Sequence, residues 1–381
     1  MLALGMLGLG LCGAATVRAD GPWTLSSDSL FYTDTDNVEV FSSQLAVQRL
    51  LDEDGGKAQA SMVVDVVSAA SVDVVSQASK RFSEVREEGN LALSHGFGDV
   101  LASINYRGST EPDYLSNGFG AGLQTRLGSP DSTLSGHYQI TFDTVGRHGT
   151  PYSVWSRPLT NNAADVSFTQ NIDRETLLRA VYSLTIQDGY MEKPYRFVPL
   201  FDAAGLTRAH NAGVALGLDT FDRYRLSTRP PEQVPDQRVR HAFALRGMRY
   251  LDPWHASLRL DYRFYFDDWG MLAHTLELAL VDELSRQWLL TVFTRGYTQN
   301  AASFYQRIYV VNSAGEIPGL RTVDRKLSPY RSLTAGARLS LQLDSATVYL
   351  ELSAMHTWFT DYLYLSRELA LVSQAGVAWS F

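Results

Sequence analysis

The sequence predicts an all-β protein: a transmembrane antiparallel up-and-down β-barrel of about 16 strands with long extracellular loops. Two observations predict this class. Apolar and polar residues alternate strictly in several segments, and these segments exceed the ~5–6 residues usual for strands of globular proteins. Short and long connections also alternate along the chain, as in bacterial outer-membrane barrels, where the short turns face the periplasm.

Residues 255–267, H-A-S-L-R-L-D-Y-R-F-Y-F-D, show the alternation most clearly. Alternate positions from Leu258 to Phe266 are all apolar or aromatic, whereas those from Ser257 to Asp267 are all polar. An extended strand here therefore has one apolar and one polar face. Soluble β-sandwiches also have an apolar face, but Arg and Asp side chains stacked on the other face fit a water-filled lumen.

Residues 1–19 are predicted to be a signal peptide cleaved after Ala19, because an apolar core is followed by small residues. A lipoprotein anchor on Cys12 is less favoured, since Leu11 rather than a small residue precedes it. Cleavage removes the only cysteine, so the predicted barrel, residues 20–381, has no thiol. This composition suits an oxidising compartment and excludes disulfides, thiolate zinc sites and covalent haem attachment.

The charge composition argues against a nucleic-acid partner. Without Arg18, 32 basic residues face 41 acidic ones, a net charge of −9. Lysine occurs only at positions 57, 80, 193 and 326, so 29 of the 33 basic residues in the full sequence are arginine. This bias has two explanations that the sequence leaves open: ladders of Arg–carboxylate pairs along a lumen wall, or the codon preference of a GC-rich genome.

Sixteen strands are predicted, at 24–33, 38–51, 57–68, 84–95, 99–109, 114–127, 132–143, 164–172, 175–188, 237–250, 254–267, 270–281, 286–299, 329–343, 347–359 and 367–381. Short turns fall at 52–56, 96–99, 128–132, 172–175, 252–253, 282–285 and 344–346, and long connections at 69–83, 144–163, 189–236 and 300–328. With a periplasmic C-terminus, every short turn is periplasmic and every long connection is extracellular. An extra hairpin within 189–236 would give 18 strands.

The last strand ends in Val377, Trp379 and Phe381 at alternate positions. A terminal aromatic residue on an alternating strand is typical of the signal that the barrel-assembly machinery recognises. We therefore expect localisation in the outer membrane of a Gram-negative cell, with the barrel-assembly machinery and outer-membrane lipid as partners.

The predicted inner faces carry many charged side chains. The lumen-lining candidates are Arg179, Arg240, Arg246, Arg259, Asp261, Arg263, Glu277, Arg338 and Glu351. An excess of arginine would favour anionic solutes, since rings of charge set the selectivity of pores. The same residues could instead form Arg–carboxylate networks that only fill and stiffen the barrel. Both interpretations stay open.

The extracellular loops carry the other candidates. Acidic and aromatic residues that would meet at the mouth are Asp113, Tyr114, Tyr190, Asp267, Asp268, Trp269, His274 and Tyr305. They could bind a cation, a sugar or a cofactor, or they could fold inward and plug the lumen. An omptin-like protease would use Asp267, Asp268 and His274, whereas the pair His255 and Ser257 faces the lumen, which is wrong for attack on a lipid. No histidine spacing fits a metal motif, so no catalytic residue, metal or cofactor is predicted.

Several short sequence motifs resemble those of an uncharacterised bacterial family, the domain of unknown function 3570 family. They are residues 109–116, Gly189-Tyr190 with Pro194-Tyr195, Arg229-Pro230 leading to 238–241, residues 264–270 with His274-Thr275, residues 299–305, and Tyr330 after residues 327–329. The resemblance spans roughly residues 25–381. It implies an outer-membrane barrel of unassigned function, encoded near a flavin transferase, a thioredoxin-like protein and a small lipoprotein. That neighbourhood implies an envelope redox system, and no catalytic residues are defined for the family.

These observations predict a pore or scaffold with an Arg/Asp-lined lumen. Its partner would be a small solute or a periplasmic redox protein, which would have to carry the redox centre itself. The alternative is an enzyme or ligand receptor built on the extracellular loops.

Overall fold

The computed structural model describes residues 22–53, 55–69, 82–312 and 315–381. Sixteen strands form one closed barrel, in which every strand is antiparallel to both neighbours. The predicted class and strand number are confirmed. The predicted signal peptide lies outside the described residues.

The barrel strands are β1 (Trp23–Asp34), β2 (Val38–Leu50), β3 (Lys57–Ala69), β4 (Phe82–Phe97), β5 (Val100–Glu111), β6 (Tyr114–Arg126), β7 (Ser132–Val145), β8 (Arg157–Asn171), β9 (Thr176–Gly189), β11 (Gln237–Leu251), β12 (Ala256–Asp267), β13 (Leu272–Glu283), β14 (Trp288–Gln299), β16 (Tyr330–Gln342), β17 (Ala346–Phe359) and β18 (Arg367–Ser380). Two short strands, β10 (Leu200–Phe201) and β15 (Tyr309–Val310), pair in parallel outside the barrel. The chain also forms helices α1 (Ala203–Asn211) and α2 (Phe221–Tyr224), and short 3₁₀ turns at Asp252–Trp254 and Arg325–Leu327.

Pairing of β1 with β18 closes the barrel, with Thr24 opposite Ser380. The start of β1 and the end of β18 therefore lie at the end of the barrel that also carries the short turns. We call this the turn end. The opposite end, the loop end, carries the connections 190–236, 300–329 and 360–366, which we call loops A, B and C. The division of short and long connections between two ends agrees with the sequence-based prediction.

Alternation gives the wall two chemically different faces. On β12 and β13 the outward side chains are apolar and exposed, for example Leu258 at 44% and Leu276 at 47%. The inward side chains of the same strands include Arg259, Asp261 and Glu277, which bond to one another. An apolar outer belt around a polar interior is the arrangement that a bilayer requires of a barrel.

The described residues contain no helix that is long and apolar enough to cross a membrane.

Strand β8 begins earlier than the prediction of residue 164. Its first half is polar, yet Asn161 points inward and donates from Nδ2 to the Thr141 hydroxyl at 3.0 Å. Pro158 lies near the strand start, a position where the missing N–H costs least. Polar lumen-facing residues therefore extend this strand, and the predicted loop 144–163 shortens to residues 146–156.

Loop A forms helices instead of the extra hairpin that would have given 18 strands. Helix α1 covers the start of the segment 210–218 in which partial alternation was noted. The Asp202 carboxylate caps α1 by accepting a hydrogen bond from the Gly205 N–H at 2.6 Å, which satisfies one of the free donors of the first turn. Loop A therefore contributes no additional strand to the barrel.

Loops A, B and C pack into a cap with its own hydrophobic core. Its buried residues are Val198, Leu200, Phe201, Ala209, Phe221, Tyr224, Tyr309, Val323, Tyr362, Leu363 and Tyr364. Tyr309 has no exposed surface, and its hydroxyl accepts from the Thr322 N–H at 2.9 Å. A second cluster, which includes Trp269, Met271, Tyr305 and Leu327, joins loop B to the turn between β12 and β13.

The cap is tethered to distant parts of the rim. Arg325 in loop B bonds from Nη1 to the carboxylates of Asp36, between β1 and β2, and Glu368, on β18, each at 2.8 Å. In loop A, Arg196 binds Asp324 of loop B at 2.8 Å, and the Tyr195 hydroxyl donates to Asp113 at 3.0 Å. The anchor at Asp113 lies about four to five strands around the barrel from the anchors at Asp36 and Glu368. Loops A and B, which Arg196 and Asp324 join, are therefore tethered to separate parts of the rim.

Candidate functional site in the lumen

A chain of ion pairs crosses four neighbouring strands on the lumen wall. Arg246 bonds to Asp261, Arg259 bonds to both Asp261 and Glu277, and Arg295 bonds to Glu277 at 2.7 Å from Nε. Glu277 is only 4% exposed and holds two guanidinium groups. The structure therefore brings together four of the predicted lumen residues and adds Arg295, which the alternation of β14 could have revealed.

The last predicted lumen pair lies on the next two strands of the barrel, β16 and β17. Arg338 bonds from Nε to Glu351 at 2.7 Å, and its guanidinium lies 4.3 Å from the centre of the Tyr349 ring. The Tyr349 hydroxyl bonds in turn to Asp28 on β1 and accepts from Gln374 at 2.8 Å. This network joins the strands that close the barrel.

Sequence reasoning missed another group of pairs on β3, β4 and β5. Arg86 donates from Nε to Asp65 at 2.7 Å, and Arg107 bonds from Nη2 to Glu88 at 2.5 Å. Asp65 is 3% exposed. Arg86 and Glu88 occupy alternate positions of β4 and therefore face the same side. The sequence E-V-R-E-E from residue 84 could have indicated these charged lumen residues.

Three of the predicted lumen arginines have no carboxylate partner among the residues that the structure describes. The Arg179 guanidinium has only the Ser167 hydroxyl, at 3.4 Å, and Arg240 bonds to the Gln187 side-chain carbonyl. Arg263 forms no hydrogen bond or ion pair within the same residues. We call Arg179, Arg240 and Arg263, on β9, β11 and β12, the cationic arc.

The cationic arc runs along the barrel. Arg179 is paired in register with Arg246, and Arg240 lies six residues away from Arg246 on the same strand. Arg263 pairs with Ala244, between these two levels. At a rise of about 3.3 Å per residue, the three guanidinium groups originate from positions spread over roughly 20 Å of strand.

Four inward-facing carboxylates on β4 to β8 form no bond to an arginine among the described residues. Asp143 is 6% exposed and accepts from the hydroxyls of Tyr114 and Ser116, each at 2.6 Å. Asp165 lies on the inner face of β8, between the outward-facing Ala164 and Val166. With Glu84 and Glu111 these residues form the acidic arc. Unpaired charges of opposite sign therefore occupy separate parts of the lumen wall.

An acidic cluster lies where the acidic arc meets the loop end. Glu84, Glu111 and Asp113 offer oxygen atoms that lie within 4.8 Å of one another. Asp113, a predicted loop candidate, is also held by Tyr195, whereas Tyr114, its predicted neighbour at the mouth, points inward to Asp143. Tyr190 packs edge-on against Trp155 at 5.6 Å between ring centres.

The predicted loop candidates at residues 267–269 form hydrogen bonds that hold the turn between β12 and β13 in place. The buried Asp267 carboxylate accepts from Arg238 Nε at 2.9 Å, from the Tyr265 hydroxyl at 2.6 Å and from the Met271 N–H at 2.9 Å. Asp268 accepts from the Val239 N–H at 3.0 Å. The Trp269 indole donates to the Gln237 carbonyl at 2.8 Å.

His274 does not join Asp267 and Asp268. It lies on the outer face of β13, where its Nδ1 is 2.8 Å from the Tyr262 hydroxyl, whereas Asp267 points inward. The structure therefore does not bring these three residues together. Tyr305, the last loop candidate, lies in the second cap cluster, and its hydroxyl donates to the Asp361 carbonyl at 2.8 Å.

Asp324 and Lys326 are neighbouring charged groups of the cap whose pKa values are displaced. Burial alone would raise the pKa of the Asp324 carboxyl, but Arg196 and Lys326 hold it well below its usual range. Burial lowers the pKa of the Lys326 ammonium to about 8, although Asp324 acts in the opposite direction. The cap therefore contains a lysine that can lose its proton near neutral pH.

Comparison with known protein families shows the family of this chain. The profile described as "Protein of unknown function (DUF3570)" matches residues 156–356. The chain belongs to this family. The match begins directly before β8 and ends on β17, so it contains the cationic arc and all of loops A and B, whereas the resembling segment at residues 109–116 lies outside it.

Solved structures show the same fold. A bacterial polysaccharide outer membrane secretin has a TM-score of 0.55 and 8% identity, covering 95% of this chain and 99% of that one. CdiB from Acinetobacter baumannii has a TM-score of 0.50 and 10% identity, covering 93% of this chain and 60% of that one. The DUF3570 chain therefore has the fold of outer-membrane barrel proteins. A search of curated protein sequences gives no match.

Proposed function

We propose that the protein is an outer-membrane channel for small hydrophilic solutes and that its cap closes the loop end. The observation that carries this proposal is the separation of unpaired charge on the lumen wall, with Arg179, Arg240 and Arg263 in one arc and Glu84, Glu111, Asp143 and Asp165 in the other. A wall that served only to fill and stiffen the barrel would pair these charges with each other, because unpaired charge is costly away from water.

Separated charge has a consequence for solutes. Fixed charges in a confined aqueous space create strong local fields, because the surrounding protein and lipid have a low dielectric constant. A field directed from the cationic arc to the acidic arc orients dipolar solutes and attracts ions of each sign to different parts of the wall. The favoured solutes are therefore small molecules that carry charges of both signs or a large dipole.

The test is the reversal potential of the refolded protein in planar bilayers under a salt gradient. Replacing Arg179, Arg240 and Arg263 with glutamine should shift the anion-to-cation permeability ratio towards cations. Replacing Asp143 and Asp165 with asparagine should shift it towards anions, by roughly a factor of two or more in each direction. Arg249→Gln removes the same charge at the turn end outside the lumen, and it should change little.

Two results would refute the channel. One is a barrel that inserts correctly but never conducts, in the wild type or in any variant. The other is conduction whose selectivity is the same in both sets of variants. A periplasmic redox partner stays a prediction, and interaction of the purified barrel with thioredoxin-like periplasmic proteins would test it.

A further inference from the structure

Two grooves of similar size indent the apolar outer face near the loop end. The first, of about 520 Å³, is centred on Gly296 and is lined by Tyr262, His274, Leu276, Arg331, Leu333 and Trp358 among others. The second, of about 530 Å³, lies at Gly89 and Gly108 and includes Met62, Glu87 and Leu115. A Cβ atom added at Gly296 or Gly89 would meet nothing within 4 Å, so glycine leaves both grooves open.

The first groove is the end of a row of outward side chains that crosses five strands. Register pairs His274 with Thr298, Thr298 with Arg331, Arg331 with Trp358, and Trp358 with Arg367. All five residues therefore lie in one row across the strands, and each is within three residues of the end of its strand at the loop end. Arg331 and Arg367 are two strands apart, which is roughly 10 Å at about 4.8 Å per strand.

Both arginines are exposed on this face, and neither forms an ion pair or hydrogen bond among the described residues. Arg331 lies 5.7 Å from the centre of the Trp358 ring, and the His356 ring stacks on that indole with 4.1 Å between ring centres. An arginine on the lipid side of a barrel is costly unless it reaches the membrane interface or an anionic partner. The aromatic ring directs the guanidinium but does not neutralise it.

We propose that this surface binds a phosphorylated membrane lipid from the leaflet at the loop end. One acyl chain lies in the groove between Leu276 and Leu333, over Gly296, and the phosphate contacts the guanidinium groups of Arg331 and Arg367. Arginine forms charge-assisted, two-pronged hydrogen bonds with phosphate, and these bonds strengthen at the edge of a bilayer, where water is scarce. The apolar groove and the two free cations thus match the two parts of one lipid molecule.

The second groove supports the choice of an anionic occupant. It has nearly the same volume and a similar glycine floor, but the exposed charged residue at its edge is Glu87. A carboxylate at that position repels phosphate. Charge therefore distinguishes two grooves of similar volume, and only the first should retain a phosphorylated lipid.

The experiment counts lipids that stay bound to the detergent-purified full chain in native mass spectrometry. Phosphatidylglycerol and diacylglycerol with the same acyl chains are added separately. The wild type should bind phosphatidylglycerol in preference to diacylglycerol. The Arg331→Gln/Arg367→Gln double variant should bind phosphatidylglycerol about tenfold more weakly, and Arg49→Gln should not, although Arg49 lies 5.0 Å from the Trp23 ring at the turn end.

Further variants and competitors decide what the site recognises. Gly296→Leu fills the groove and keeps both arginines, so it should also weaken binding. Equal binding of both lipids, or full binding by the double variant, would overturn the proposal. Displacement of the lipid by inorganic phosphate at about 10 mM would also overturn it, because the site would then recognise the free anion. A difference in electrophoretic mobility between unheated and heated samples confirms that each variant is folded.

Discussion

Arginine side chains on the lumen wall fall into two groups with different electrostatic surroundings. Arg259 and Arg295 share one buried carboxylate, Glu277, and their charges are compensated. Arg179, Arg240 and Arg263 have only neutral partners or none among the described residues. The first group holds neighbouring strands together, and the second has no carboxylate that compensates its charge. In the proposed channel, the same residue type therefore serves stability at some positions and selectivity at others.

Glu277→Gln tests the structural group. The amide cannot neutralise Arg259 and Arg295, so two cations are left close together in a poorly solvated place. We expect the free energy of unfolding to fall by about 3 kcal/mol. The measurement is a urea denaturation curve of the barrel in detergent micelles.

The matched control is Glu175→Gln. Glu175 pairs with Arg249 at 3.8 Å, and both side chains are about half exposed at the turn end. An exposed pair of this kind contributes less than about 1 kcal/mol. If the two substitutions destabilised the barrel equally, the buried ion pairs would not hold the strands as described.

At the scale of elements, strands could be predicted from sequence because the residue pattern of each strand depends on what lies on its two faces. On β12 and β16 the alternation of apolar and polar residues follows directly from lipid on one side and water on the other. Strand β8 was predicted too short because Asn161 and Asn162 are typical loop residues, and their partners lie on neighbouring strands. Hydrogen bonds between strands are not visible in a local pattern.

The cap could not be predicted for the same reason. Its core joins residues far apart in the sequence, such as Phe221 and Tyr364, whose rings pack edge-on at 5.2 Å. The candidate acids at 267 and 268 were recognised as residues of the mouth, but the sequence does not show which carboxylate is buried. The outward position of His274 follows from the parity of β13, which was predicted to begin at residue 270 rather than Leu272.

Lys326 makes the stability of the cap depend on pH. Its pKa is about 8 in the folded protein and 10.5 ordinarily, so the cost of burying its charge is fully present below pH 8. The cost falls as pH rises from 8 to 10.5, because the folded state loses the proton first. From pH 7 to pH 9.5 we expect the free energy of unfolding to gain about 2 kcal/mol from this residue.

Lys326→Met should remove that gain, because methionine fills a similar space without a charge. Urea midpoints at the two pH values measure it, with Lys57→Met at the turn end as the control. A pH dependence that persists in Lys326→Met would show that other groups cause it.

For the whole molecule, the barrel and the cap have opposite roles. The barrel encloses polar and charged surface that requires water, and the cap covers one end with a hydrophobic core that excludes water. Arg325 connects the two, because it joins loop B to Asp36 and Glu368 at the junction of the first and last strands. In the proposed channel, opening of the cap breaks both of these bonds.

Single-channel recording of the wild type and of Arg325→Gln in planar bilayers tests the central claim most directly. Loss of the two bonds weakens the closed position of the cap but leaves the lumen wall unchanged. We predict that the variant opens more often, with the same conductance per opening and the same reversal potential as the wild type. The absence of current from both correctly inserted proteins would contradict the claim and show a barrel that is closed by its own side chains.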